Sequence, residues 1–403
     1  MTAVSPARRV AYEVVRRVFE EEAYADRAFR SVARDLDERE RAFAQRLAYG
    51  TVQRVRPLDH AIDALGRRPV RKLDPPVRAA LRLGAYQLAY LDVPPHAAAN
   101  ETVELVREAR LERAVPFTNA VMRRLAEGIH ALLATLPEGP LKHSYPDWVW
   151  DVWRRDFGDD AARALMRAQN EPLETVVRRV RGDVAGEETD VPGAYRVARV
   201  DERALADGSI WPQSRSSQLA ALALRSADGE RVLDSCAAPG GKATMLHGQI
   251  TAVELHEDRA RELEENARRL GAANVSVVRA DATELPPELD GFDRALVDAP
   301  CSGLGVLGRR PDLRWRARPL PELQLRLLES AAERVRPGGT VLYSVCTLNA
   351  DENEAVIDQS GLRVDATLAD EWPGYRHPHR PEFLLTRPDL HGTSGFFVAR
   401  LTI

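Results

Sequence analysis

Apolar residues in the first third of the chain recur at helical spacing. Val10, Val14 and Val18, with Ala11, Val15 and Phe19, fall on one face of a helix, and Phe43, Leu47 and Val52 repeat the pattern. In PPVRAALRLGAYQLAYL, Pro75 and Pro76 suit a first helical turn, where a missing N–H costs nothing; Leu81, Ala85 and Leu88 then line the inner side. PPHAAANETVELVREA starts the same way at Pro94 and Pro95. No β-rich run interrupts residues 1–130, so the pattern predicts an all-α N-terminal bundle.

The connector LPEGPLKHSYPDWVWDVWRRDFG brings Trp148, Trp150 and Trp153 together, which predicts a packing hub rather than a platform for stacking bases. Residues 175–200 read as short strands, so 131–205 are expected to form this connector and a small α+β subdomain. From about residue 229 the pattern alternates. RVLDSCAAP, ITAVEL, VSVVRAD, FDRALVDAP, TVLYSVCT and FFVARLTI are β-rich, whereas ARELEENARRLGA and LPELQLRLLESAAERVRPGG are helical, with Gly271 and Gly338–Gly339 marking their ends. This predicts an α/β Rossmann-like, doubly wound domain over 206–403, of the kind that binds ligands beyond the carboxyl ends of its strands.

Composition changes that picture little. Hydrophobic residues at 44% and charged residues at 29% describe a globular chain. No apolar run is long enough to span a bilayer and the N-terminal stretch lacks an apolar signal-like core, so a cytoplasmic location without membrane contact is expected. The cysteines, Cys236, Cys301 and Cys346, form no CxxC pair, so neither a disulfide framework nor a metal site is expected. Free thiols are most often small buried apolar groups. Residues 1–150 hold 24 Lys+Arg against 20 Asp+Glu, a balance of +4 in a chain of net −4, which allows local basic patches at most. The only lysines are Lys72, Lys142 and Lys242, and the last sits at a glycine-rich turn.

That turn, DSCAAPGGKAT, follows the first strand of the alternating region. Gly240 and Gly241 let backbone approach a ligand, although the spacing is neither GxGxxG nor a phosphate-binding loop. Successive strands then end in acids: Glu254, Asp281 and Asp298. One such acid is commonly a helix cap. Three in order after a glycine turn suit ribose and amino groups, and hence S-adenosylmethionine rather than a dinucleotide. Cys301, in DAPCSG, falls just past Asp298 at the same strand end, and Cys346, in YSVCTLNADENE, falls at a further one.

CAAPGGK, DAPCSG followed by RRPDLRW, and YSVCTLNADENE together resemble the Nop/Sun family of RNA cytosine-C5 methyltransferases. The helical region, with PPHAAANETVELVREA and FTNAVMRRLA, resembles the NusB-like RNA-binding domain fused to the family's bacterial Sun (Fmu) branch, which acts on 16S ribosomal RNA. The likeness covers nearly the whole chain and is weakest over 130–200. It implies a multidomain protein, with an all-α NusB-like bundle, a small α+β subdomain and a class I S-adenosylmethionine-dependent methyltransferase domain. It also implies a cofactor site made of the loop Cys236, Ala237, Ala238, Pro239, Gly240, Gly241 and Lys242 with Glu254, Asp281 and Asp298. Cys346 is implied to be the nucleophile that adds to cytosine C6, making C5 able to attack the sulfonium methyl; Cys301 assists product release, Asp298 holds the base edge, and Lys242 lies beside base and cofactor. A Pro-Cys nucleophile, as in DNA methylases, would nominate Cys301 instead; the second cysteine with its tail Glu352-Asn353-Glu354 favours Cys346. Proximity to positive groups and a helix N-terminus is expected to lower the thiol pKa.

Two departures from the family pattern stand out. QSRSSQ places Ser214 and Arg215 where an acid is expected, leaving Gln213 and Gln218 as the matching positions. Only ATMLHGQ separates Lys242 from the next strand, so the helix after the glycine turn must be very short. The loop with Arg309, Arg310, Arg314 and Trp315 is expected to offer phosphate contacts and stacking to RNA. The partner is therefore expected to be 16S ribosomal RNA, bound by a monomer; transfer RNA is the alternative substrate, and a non-catalytic NusB-like RNA-binding factor the alternative class.

Overall fold

The computed structural model describes residues 4–403, which divide into two compact units. The first comprises residues up to Asn170 together with Leu307–Arg316. Its residues up to Asn170 form the helices α1 (Pro6–Glu20), α2 (Ala25–Val32), α3 (Glu38–Gln53), α4 (Val55–Gly66), α5 (Pro75–Tyr90), α6 (Pro95–Glu108), α7 (Val115–Ala134), α8 (Pro140–His143), α9 (Asp147–Phe157) and α10 (Asp159–Ala168), and a further short helix spans Leu313–Arg316. As the prolines foretold, α5 and α6 open on Pro75 and Pro95. Ala11, Val14, Val15 and Val18 of α1, Leu47 and Val52 of α3, and Leu81, Ala85 and Leu88 of α5 share one core. Helix continues well past residue 130, because α9 buries Val149 and Trp153 on one side. The Trp153 ring packs on Tyr145 at 5.4 Å, whereas Trp148 and Trp150 are only half-buried, so the hub rests on one tryptophan.

The segment Leu307–Arg316 corrects an expectation. Arg314 and Trp315 are not offered to RNA. The Arg314 guanidinium is fully buried over the Tyr145 ring, 4.0 Å from its centre. It donates to the carbonyls of Gln53, His143, Ser144 and Gln169 at 3.0–3.4 Å. These carbonyls terminate α3, α8 and α10, where helix dipoles leave unpaired oxygens and partial negative charge. A single planar cation thus caps three helices. Trp315 donates its indole N–H to the Val52 carbonyl at 2.8 Å and leans on Phe19.

The second unit holds two sheets. The smaller is antiparallel, in the order β2 (Glu187–Glu188), β3 (Ala194–Arg196), β1 (Val176–Arg179) and β4 (Ile210–Pro212). The larger runs β10 (Arg363–Val364), β12 (Phe396–Thr402), β9 (Val335–Val345), β8 (Phe292–Asp298), β5 (Arg231–Asp234), β6 (Gln249–Glu254) and β7 (Val275–Arg279), with β11 (Leu384–Thr386) also pairing β12. Pairs among β5–β9 are parallel, and β12 closes the edge antiparallel to β9. Chain order reverses at β5, which has β6 on one side and β8 on the other. Such a reversal opens a crevice beyond the strand ends. Gly338 and Gly339 do not end a helix: they lie inside β9, where the register against β8 shifts between Phe292 and Arg294. Gly338 takes φ +79° there, as a bulge residue requires.

Candidate active site

The loop after β5 is shaped by what glycine permits. Gly240 has φ +104°, and a Cβ there would lie 2.7 Å from Leu263; one on Gly241 would meet the Trp211 ring at 3.0 Å. Loop carbonyls are tied back by side chains: Arg178 to Gly241 at 2.9 Å, Arg259 to Ala238 at 2.8 Å and Asn266 to Pro239 at 2.9 Å. Burial lowers the Arg178 pKa to about 10, although the group stays cationic at neutral pH. After Lys242 comes a single 3-10 turn, Ala243–Met245, as the seven-residue gap required.

The strand-end acids differ in their surroundings. Glu254 is buried, accepts the His256 N–H at 2.9 Å and lies 3.5 Å from Arg259. Asp281 is exposed and bonds the backbone and hydroxyl of Thr283, which hold its pKa below the usual range. Asp298 receives the Lys242 ammonium at 2.7 Å on one oxygen and the Ser344 hydroxyl at 2.8 Å on the other. The Lys242 ammonium also stands 5.0 Å from the Phe396 ring centre.

Cys301 and Cys346, 45 residues apart in sequence, bring their sulfurs to 3.4 Å, and both remain free thiols. The hydrogen bond from Cys301 holds the Cys346 thiol below its ordinary range, assisted by Lys242 and opposed by burial and the charge of Asp298. Cys301 moves the opposite way, raised by that same bond and by burial. The two sulfurs share one hydrogen bond, so one can ionise while the other keeps its proton. The next helix in sequence after Cys346 begins at Glu354 and the next after Cys301 at Leu313. Cys236, by contrast, is pushed far up by burial and neighbouring carboxylates and stays a thiol.

One acid escaped the sequence reading. Asp234, ending β5, is buried with one carboxylate oxygen unpartnered among the described residues. Burial first, then the charge of Asp298, pushes its pKa up to about 7. Its signal was its place: another acid at a strand end. Glu352 is fully buried and accepts bonds from the Ser302 backbone at 2.9 Å, Gln324 at 3.0 Å and Asn349 at 3.2 Å, and from the Ser302 hydroxyl. It buckles the two cysteine turns together. Finally, the departure at QSRSSQ is absorbed locally. Ser214 caps the helix Arg215–Ala223, and Arg215 pairs with Glu174 at 2.7 Å and Asp190 at 2.6 Å. Gln218 is buried and donates to the Gln213 carbonyl.

A parallel sheet with a glycine turn, strand-end acids and ionisable groups converging at its topological switch defines a methyltransferase-like α/β enzyme domain. Comparison with known proteins narrows the class. Residues 221–402 match the family model for the 16S rRNA methyltransferases RsmB/F, and residues 5–127 match that of the NusB family. The chain is 33% identical to a probable ribosomal RNA small subunit methyltransferase B of Synechocystis, over 98% of this chain and 99% of that one. It is 37% identical to ribosomal RNA small subunit methyltransferase B of Thermus thermophilus, over 90% and 89%. Its fold resembles the solved structure of PH0851, with TM-score 0.81 and 22% identity over all of both chains. The chain belongs to the RsmB/F methyltransferase family and is an S-adenosylmethionine-dependent RNA methyltransferase. Among the described residues no helix is long and apolar enough to cross a membrane, and no cluster of His, Cys, Asp and Glu could hold a metal ion.

Proposed function

We propose that this protein methylates C5 of a cytosine in 16S ribosomal RNA through a covalent bond between Cys346 and C6 of the base. The observation that carries the reading is the paired thiols of Cys301 and Cys346, one lowered and one raised, beside Asp298 and Lys242.

The cofactor fit rests on the shape and polarity of the strand ends. Gly240 and Gly241 let the loop backbone run close against its neighbours, Glu254 offers a buried acid, and Asp234 leaves a carboxylate oxygen free for a cationic ligand. The Cys236–Lys242 loop, Glu254, Asp281 and Asp298 would hold S-adenosylmethionine, which supplies an electrophilic methyl group when bound. The chain's own groups prepare the base. The Cys346 thiolate adds to C6, forming the S–C6 bond and moving the C5–C6 π electrons so that C5 becomes nucleophilic. Asp298, anchored by Lys242 and Ser344, faces the cytosine edge as its charge changes. After methylation the C5 proton passes to water, the C5–H electrons restore the C5–C6 double bond and the S–C6 bond breaks with its electrons leaving on the Cys346 sulfur. Cys301, protonated and in contact with the leaving sulfur, receives the departing thiolate through its S–H hydrogen bond and favours release.

Bisulfite sequencing of 16S ribosomal RNA from a strain lacking the gene tests the reading. One cytosine should become unprotected there and regain protection when the purified enzyme and cofactor are added. An unchanged 16S map, or restored methylation only in transfer RNA, would overturn it.

A further inference from the structure

Six arginines are buried among the described residues, and one of them lacks what the others have. Arg82 pairs with Asp59, Arg215 with Glu174 and Asp190, Arg387 with Asp389, and Arg400 with Asp365 and Glu371. Arg314 meets the negative ends of three helices. Arg178, on β1, has neither a carboxylate nor a helix end, and its Nε is without a hydrogen-bond partner among the described residues. Burying an uncompensated cation costs the fold stability, and an apolar side chain would fill the same place with less penalty.

What Arg178 does hold is the glycine turn. Its guanidinium donates to the Gly241 carbonyl and to the Thr244 hydroxyl, both at 2.9 Å, and that hydroxyl donates in turn to the Gly240 carbonyl at 2.7 Å. The Gly241 carbonyl is thereby turned toward Arg178, and the Gly240 carbonyl toward the hydroxyl that Arg178 fixes. In a trans peptide the N–H points opposite to the C=O. The N–H groups of Gly241 and Lys242 share those two peptides and so point away from these bonds; neither has a hydrogen-bond partner among the described residues. Trp211, paired with Arg178 across β1 and β4, closes on the same turn: its ring nitrogen lies 3.0 Å from where a Gly241 Cβ would be. Two cross-strand neighbours of the small sheet thus grip one glycine. Arg259 and Asn266 also tie loop carbonyls, but both are only half-buried and hold Ala238 and Pro239, ahead of the glycines.

We propose that Arg178 is a positioning residue for S-adenosylmethionine: it fixes the Gly240–Gly241 turn so that two unpaired N–H groups stand ready for the cofactor, and it makes cofactor binding depend on the small sheet. The inference rests on the reading of the Cys236–Lys242 loop as the cofactor site and gives a role to a residue outside that loop. Donors arranged in advance need no ordering when the ligand arrives, so affinity is kept that a loose turn would lose. A buried charge retained against the stability of the fold is the trace such a role leaves.

The test is isothermal titration of S-adenosylmethionine into wild type, Arg178→Met, Arg178→Lys and, as a control on the same strand, Arg179→Met, together with amide hydrogen exchange of each protein without cofactor. Arg178→Met should bind the cofactor about tenfold more weakly, the loss expected when a hydrogen bond from a charged group is removed. Arg178→Lys should fall between, because one ammonium reaches the carbonyl or the hydroxyl without the fork. Arg179→Met should match wild type. Residues 236–246 of Arg178→Met should exchange faster, while the strands of both sheets exchange as in wild type. Equal affinity in wild type and Arg178→Met would overturn the proposal. So would faster exchange throughout the second unit, because Arg178 would then merely hold the fold; Arg178→Lys answers the same question if the Met variant does not fold. A wild type that bound no cofactor would overturn the reading of the loop itself, so the two failures are distinguishable.

Discussion

The buried carboxylate of Glu352, in the turn after Cys346, accepts the backbone N–H of Ser302, the residue after Cys301, at 2.9 Å. The same carboxylate also takes the Leu320 N–H at 3.1 Å and the Gln324 amide. A fully buried anion surrounded by donors sets the spacing of the two cysteine turns, since moving either turn strands a charge. Glu352→Gln keeps the shape but puts an amide donor against donors. It should cost about 2–4 kcal/mol of stability and lower the methylation rate more than substitution of an exposed acid such as Asp351. Urea unfolding and single-turnover assays check both; wild-type stability in the variant would show that the buckle is idle.

The two thiols should separate by variant. Cys346→Ala is expected to yield neither methylated RNA nor a protein–RNA adduct on denaturing gels. Cys301→Ala is expected to form the adduct and release it slowly, so that it accumulates. Exchange of these outcomes would make Cys301 the nucleophile.

Adduct formation should also report the thiol's ionisation. The Cys301 hydrogen bond is the largest influence lowering the Cys346 pKa. Plotted against pH, the wild-type adduct rate should therefore rise with an inflection below that of an ordinary thiol. In Cys301→Ala the inflection should move to higher pH, because burial and Asp298 are then opposed mainly by Lys242. An unmoved inflection would show that the second sulfur does not tune the first.

Asp234 makes a prediction about stability. Its folded pKa is about 7 against an ordinary 3.8, so between those values the folded protein binds more protons than the unfolded chain. Stability contributed by the neutral carboxyl is therefore present at low pH and lost as pH rises through 7, by up to about 4 kcal/mol. Asp234→Asn should remove this component of the slope, seen as the difference between the two proteins' unfolding free energies from pH 4 to 8. A constant difference would refute the assignment.

Arg314→Met should destabilise the helical unit by about 2–4 kcal/mol, because carbonyls ending three helices lose their shared donor. Arg314→Lys should rescue little, since one ammonium cannot reproduce the fork across Gln53, Ser144 and Gln169. Calorimetry of the three proteins checks the order.

How much of this was legible depends on the range of the interactions concerned. Helical spacing in Val10–Phe19 and the prolines at 75 and 94–95 act within a turn or two, and α1, α5 and α6 formed where those signals lay. Strand-end acids and the glycine turn were likewise readable, because in a parallel sheet the end of each strand is a fixed place. Gly338–Gly339 misled because a glycine pair ends a helix or bends a strand equally well, and only pairing with β8 decided between them. Arg314 and Trp315 misled more deeply. A basic, aromatic loop reads as an RNA surface until the carbonyls of three distant helices are known to converge on it.

The order of elements and the identity of the chemical groups at each strand end were determined by the linear sequence, since periodicity and turn chemistry are local. The closeness of two sulfurs separated by 45 residues, the direction in which each is shifted, and the free oxygen of Asp234 were decided by the tertiary structure. The reason is electrostatic: a thiol or carboxyl responds to burial and to charges within a few ångströms, and those neighbours come from β5, β8 and β9, which only the folded sheet places side by side.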